Sequence, residues 1–179
     1  MRILLFDTET DSLAKNSLIR LEKRPRVLEF YGLVLNDMFE EIDVWSSLFA
    51  YDKELDPIII KITGITKQLL WENGALPFRD KAAALKAFIE GCDIVVGHNL
   101  IFDMARIDDE MERCGLEVDW PSERICTVES TEWLKGFRLS LTALHEHLFG
   151  ASFPEAHRAE PDVRAMTKCF IELKRRGEI

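Results

Sequence analysis

The chain has 179 residues, the length of one ordinary domain, and its 23 Lys+Arg against 32 Asp+Glu leave a net charge of −9. A single core is expected, a wholly basic nucleic-acid coat is excluded, and any polyanion partner is left to a local patch or to cations. With 47% apolar and 31% charged residues the composition fits a soluble globular protein rather than a disordered one.

No apolar run approaches the ~20 residues that span a bilayer. The N-terminus Met-Arg-Ile-Leu-Leu-Phe-Asp turns acidic too early for a signal peptide, so a cytoplasmic location is expected. Cys92, Cys114, Cys126 and Cys169 are well separated with no Cys-x-x-Cys pair, which predicts reduced core thiols rather than a zinc cluster or disulfide frame.

Ile3 to Phe6 reads as a buried strand whose C-terminal end carries polar groups. Val27 to Leu35 and Glu41 to Phe49 read as two more strands around an Asn36-Asp37 turn, completing a three-strand meander. A helix is expected from Asp80 to Glu90, stopped by Gly91, and Asp93 to Gly97 then reads as a buried strand. Asn99 is placed to cap a helix running to about Cys114, with Phe102, Met104, Ile107 and Met111 at helical spacings and Gly115 as the stop. Arg124 to Val128 reads as a short strand and Ser140 to Phe149 as a helix. The last helix spans Pro161 to Arg176, with proline in its first turn and basic residues in its last. The order β-β-β-α-β-α-β-α-α predicts an α/β fold: a mixed sheet, three strands antiparallel and the later ones reached through helices packed on its faces.

Three segments carry candidate chemistry. In Phe6-Asp7-Thr8-Glu9-Thr10 the two carboxylates stand two apart on an extended chain and so share a face, where they repel unless a cation lies between them. In His98-Asn99-Leu100-Ile101-Phe102-Asp103 the aspartate falls in the first turn of a helix. In His157-Arg158-Ala159-Glu160-Pro161-Asp162 a histidine precedes a helix whose opening turn supplies a carboxylate. Taken singly, each has an ordinary structural reading: a polar strand end, an acid favoring a helix N-terminus, a surface histidine beside a capping residue. His145 and His147 fall near the end of a helix and have that ordinary reading alone.

Together the segments resemble the three motifs of the DEDD exonuclease superfamily, in the histidine-containing branch of DnaQ-like 3′–5′ exonucleases, in the family's order and separation. Thr63-Gly64-Ile65-Thr66, Cys126-Thr127 and Leu139-Ser140-Leu141 are smaller echoes, and the resemblance covers nearly the whole chain. It implies an RNase H-like fold and hydrolysis of phosphodiester bonds at a 3′ end by a two-metal mechanism. Oxygen-only donors such as Asp7, Glu9 and Asp162 suit hard Mg²⁺ or Mn²⁺, and two such ions roughly 3.5–4 Å apart can activate water and stabilise the leaving oxygen. By the resemblance, Asp7 bridges two ions, Glu9 and Asp162 complete the site of the ion holding the water, and Asp103 supports the second ion. His157 takes the water's proton, a task suited to a side chain that ordinarily titrates near 6.5.

The resemblance further implies that the backbone around Thr8 and Thr10, an aliphatic side chain such as Leu13, and Phe102 grip the terminal nucleotide, with Asn99 either binding substrate or capping its helix. The expected partners are nucleic-acid 3′ ends, single-stranded DNA first and RNA second. A polymerase partner is not indicated, and a free-standing nuclease is expected. An exoribonuclease of the same fold and a catalytically silent nucleic-acid-binding or scaffold domain are the rival readings. The segment Lys15 to Arg26 is rich in Lys and Arg with one acid, Glu22, and is expected either to receive the incoming phosphate backbone or to be a solvated loop. The sequence departs from the family at Asp11-Ser12, where many relatives have Thr-Gly, and at Glu160-Pro161 ahead of the last carboxylate.

Overall fold

The apolar run at the N-terminus becomes the middle strand of the sheet. In the computed structural model, which describes residues 1–12, 19–154 and 157–179, β1 is Ile3–Thr10, β2 Val27–Leu35, β3 Glu41–Leu48, β4 Ile94–Gly97 and β5 Glu123–Cys126. The strands lie in the order β3-β2-β1-β4-β5. The β1–β2 and β2–β3 pairs are antiparallel, and β1–β4 and β4–β5 are parallel, the mixed sheet that the order of elements predicts. The helices are α1 Pro57–Thr63, α2 Lys67–Glu72, α3 Phe78–Glu90, α4 Leu100–Arg113, α5 Thr127–Ser130, α6 Leu141–Phe149 and α7 Ala159–Arg176. No described helix is long and apolar enough to cross a membrane.

The two-residue period of a strand sorts the side chains of β1. Leu4 and Phe6 enter a core with Leu85 and Ile89 of α3 and Met104, Ile107 and Met111 of α4. Ile3 and Leu5 enter another with Val163, Met166 and Phe170 of α7. The sheet is therefore covered by α3 and α4 on one face and by α7 on the other. All four β1 side chains are at most 1% exposed, and burying each contributes about 1.5–3 kcal/mol. This core fixes β1 in register, and the same alternation then sends Asp7 and Glu9 to the α7 face and Thr8 to the α4 face.

Several elements differ from the sequence reading. β1 continues through Thr10 rather than ending at Phe6, because its last residues still pair with β2 after the apolar run stops. β5 ends at Cys126, and Thr127 and Val128 instead open the one-turn helix α5. α7 begins at Ala159, which leaves Pro161 in its first turn. The short helices α1 and α2 were not expected. Asp56 Oδ1 accepts from the Ile58 amide at 2.9 Å and Thr66 Oγ1 from the Leu69 amide at 3.0 Å, so each has a side-chain N-cap. Cys92 and Cys169 are buried and Cys114 and Cys126 partly so, all as free thiols.

Candidate active site

β1 outruns its parallel neighbour. β4 pairs only with Ile3, Leu4 and Leu5, so beyond Phe6 one edge of β1 lacks a strand partner while the other still pairs with β2. The chain leaves β4 sharply toward α4. A Cβ on Gly97 would lie 2.9 Å from Leu100 Cδ1 and 3.0 Å from its Cα, so only glycine fits there, and Asn99 takes a left-handed backbone with φ 76°. Asn99 holds the N-cap position of α4 but its side chain makes no capping hydrogen bond, which corrects the expected side-chain cap.

This turn brings Asp103 to the open edge of β1. Its Oδ1 accepts from the Thr8 amide at 3.1 Å and from the Thr8 hydroxyl at 2.6 Å, so a carboxylate replaces the missing strand. On the opposite face the first turn of α7 brings Asp162 to Asp7 and Glu9. One carboxylate oxygen from each of these three lies within 4.8 Å of the others. Asp103 is not in that cluster but stands close enough to repel Asp7.

The electrostatics follow from crowding acids below the surface. Burial first, then repulsion from Asp103, Glu9, Asp162 and Glu29, pushes the Asp7 carboxyl far above its usual range. Burial and the charges of Asp162 and Glu29 raise Glu9 to about 8, opposed by Arg158. Burial raises Asp103 to about 7 against the two Thr8 hydrogen bonds, and raises Asp162 to about 6 against the His157 amide. Asp162 Oδ1 is buried with no hydrogen-bond partner among the described residues. Converging oxygens, an orphaned carboxylate atom and raised pKa values together fit a hard cation.

His157 is exposed and adopts a left-handed backbone with φ 72°. Its amide donates to Asp162 Oδ2 at 3.0 Å. The next residue, Arg158, forks onto Glu29 of β2 through Nε to Oε2 at 2.9 Å and Nη2 to Oε1 at 2.7 Å, and the Ala159 amide donates to the same Oε2 at 3.2 Å. Glu29 stands directly across from Glu9 in the β1–β2 register. It was missed in the sequence, although it is the only charged residue in Val27–Leu35, and a lone acid in an apolar strand is a signal.

The remaining expected residues divide. The Thr8 hydroxyl serves Asp103, and the Thr10 hydroxyl donates to the Ser12 carbonyl at 2.8 Å. Phe102 is partly exposed and outside the core clusters, with the Arg106 guanidinium 5.4 Å from its ring centroid. Leu13 lies outside the described residues. Asp11 fastens the strand end: its amide donates to the Arg26 carbonyl, its Oδ1 accepts from the Arg26 amide and its Oδ2 from the Tyr51 hydroxyl, at 3.0, 2.9 and 2.8 Å.

Two cations of the basic segment pair with acids of α4, while Arg20 and Lys23 are exposed. Arg24 reaches Asp109 Oδ1 at 2.7 Å and Arg26 reaches Glu110 Oε1 at 2.6 Å. Lys15 lies outside the described residues. His98 is a structural pin. Burial lowers it to about 4, and it lies between the Leu139 carbonyl at 3.1 Å and the Thr127 hydroxyl at 2.9 Å. Because a carbonyl only accepts, Nε2 carries the proton and Nδ1 accepts from Thr127.

Comparison with known proteins gives this arrangement a family. Among curated relatives, the 3′-5′ exonuclease DinG of Staphylococcus epidermidis is 28% identical over 145 residues, covering 79% of this chain and 15% of that protein. The DNA polymerase III subunit epsilon of Treponema pallidum is 27% identical over 174 residues, covering 94% of this chain and 74% of that one. Among solved structures, a zinc-bound complex of E. coli exonuclease I with single-stranded DNA superposes with a TM-score of 0.81 at 18% identity, over 98% of this chain and 41% of that one. A 3′-exonuclease bound to a histone mRNA stem-loop superposes with a TM-score of 0.76 at 16% identity, over 98% and 64%. At those identities the structural likeness speaks for the fold. The model of the exonuclease family RNase_T matches residues 4–170, nearly the whole chain, and the chain therefore belongs to that family.

Proposed function

We propose that the chain is a 3′–5′ exonuclease of the histidine-containing branch, releasing nucleoside 5′-monophosphates from the 3′ end of single-stranded DNA. The observation that carries this reading is the convergence of Asp7, Glu9 and Asp162, one oxygen of each within 4.8 Å of the others. These three would hold Mg²⁺ or Mn²⁺, two ions per site, with Asp103 supporting the second from the α4 side. When bound, such ions supply Lewis acidity to the phosphodiester and to the attacking water.

The chain's own residues do the rest. Thr8 aims Asp103 through two hydrogen bonds, which favour its ionised form against burial. His157 receives the proton of the attacking water, on a segment that its own amide fastens to Asp162. The exonuclease I complex supports DNA as substrate, and the stem-loop complex gives an RNA reading its own support. The epsilon relative is reason to assay a polymerase partner as well.

The test uses 5′-labelled DNA and RNA strands of matched sequence, single- and double-stranded, with Mg²⁺ and with chelator. Metal-dependent shortening from the 3′ end is expected, fastest on single-stranded DNA. Asp7→Ala should abolish it while leaving a cooperative melting curve. Bound strands that stay full length with metal present would instead favour a silent binding domain.

A further inference from the structure

We infer that Glu29 is a positioning residue that holds His157 and Asp162 in place through Arg158. This rests on the reading of His157 as the proton acceptor. Among the described residues, the segment that delivers His157 is held by its amide on Asp162 and by the contacts to Glu29. α7 has no side-chain N-cap, and His157 adopts a left-handed backbone that a residue with a Cβ seldom takes. The three donations to Glu29, two from the Arg158 guanidinium and one from the Ala159 amide, fasten both sides of the junction between the loop and α7. A guanidinium on a carboxylate in a two-point fork fixes orientation as well as distance.

The location of Glu29 connects this clamp to the acids. Glu29 sits across from Glu9 on β2, so the strand pair that carries Asp7 and Glu9 also carries the anchor for His157 and Asp162. The two halves of the site are thereby registered to one rigid element. A fourth carboxylate beside the three would by itself only add repulsion. Arg158 offsets part of that repulsion at Glu9, so the pair costs the site less than a lone fourth acid would. Side-chain exposure is 12% for Glu29 and 34% for Arg158, so the carboxylate end of the fork is shielded while the guanidinium stays partly open to water.

The test is a set of single-turnover measurements on Glu29→Gln, Arg158→Lys, His157→Ala and the Glu29→Gln/His157→Ala double variant, with melting curves for each. Glutamine keeps the size but loses one acceptor of the fork, and lysine keeps the charge but loses the fork. Each should slow turnover by about 10- to 100-fold, the cost of a misplacement near 1 Å, with KM within about threefold. In the His157→Ala background Glu29→Gln should slow turnover by a clearly smaller factor than in the parent, because one of the two groups it places is gone; a purely structural loosening would slow both backgrounds alike. Parent-like turnover in Glu29→Gln, or an equal loss in both backgrounds, overturns the assignment. Hydrogen exchange at the His157 and Ala159 amides reads the clamp without turnover: protection should drop in Glu29→Gln, and unchanged protection also overturns it. A parent inactive on every strand would refute the nuclease reading alone, and the exchange measurement would still decide the clamp.

Discussion

At the scale of the residue, the acids of the site are held against their own repulsion, and that has a sign in pH. Glu9 is raised to about 8 and Asp162 to about 6, against about 4 for carboxylates of the unfolded chain. At intermediate pH the folded protein therefore keeps protons that the unfolded chain has released, and stability falls as pH rises through those values. His98 has the opposite sign: lowered to about 4, it contributes stability that is lost as pH falls from about 6.5 toward 4. The carboxylate effect is therefore read cleanly above about pH 6.5. In chelator, Tm should fall between about pH 6.5 and 8.5, and Mg²⁺ or Mn²⁺ should restore it, more at the higher pH. Asp7→Asn should flatten the slope and blunt the response to cation. A melting temperature indifferent to both pH and cation would mean that these oxygens do not share an ion.

At the scale of the element, α4 has two functions. Its first turn presents Asp103 to β1, and its later turns bind the segment leading into β2. Glu110 is 1% exposed; it accepts from Arg26 at 2.6 Å and from the Val27 amide at 3.2 Å, and Arg113 lies 3.1 Å away. Removing one member of such a buried network strands the others, at a cost of about 3–5 kcal/mol, so Glu110→Ala should lower Tm by about 6–20 °C, measured by calorimetry. Little of this was legible in the sequence. Arg24 and Arg26 looked like a basic patch because their partners, Asp109 and Glu110, lie 85 and 84 residues away. α1 and α2 escaped notice because seven and six residues are too few to show a helical period, although Asp56-Pro57, Gly64 and Thr66 mark their ends. The long helices and the meander were legible because their apolar periods run through several turns or pleats.

At the scale of the whole molecule, an acidic chain of net charge −9 that takes up a polyanion must rely on cations more than on a basic coat. Binding of single strands should accordingly weaken in chelator. Arg24→Met should leave the salt dependence of binding nearly unchanged, well short of the slope change of about 0.7 that one lost phosphate contact on a single strand brings. Fluorescence anisotropy over a salt series measures both, and a clear flattening would return Arg24 to the substrate. The three motifs were legible because they stand in the family's order, and three of their acids, Asp7, Glu9 and Asp162, converge in the structure. The roles of Thr8 and Glu29 were not, since a hydroxyl that aims a carboxylate and an acid that grips an arginine show only once β1, β2 and α7 are side by side. The Asp11 amide meets the Arg26 carbonyl at 3.0 Å, so the two ends of the β1–β2 connection are stitched together at its base. Replacing Asp11 by Ala would remove the acceptors of the Arg26 amide and the Tyr51 hydroxyl, and this end of the strand pair would fray.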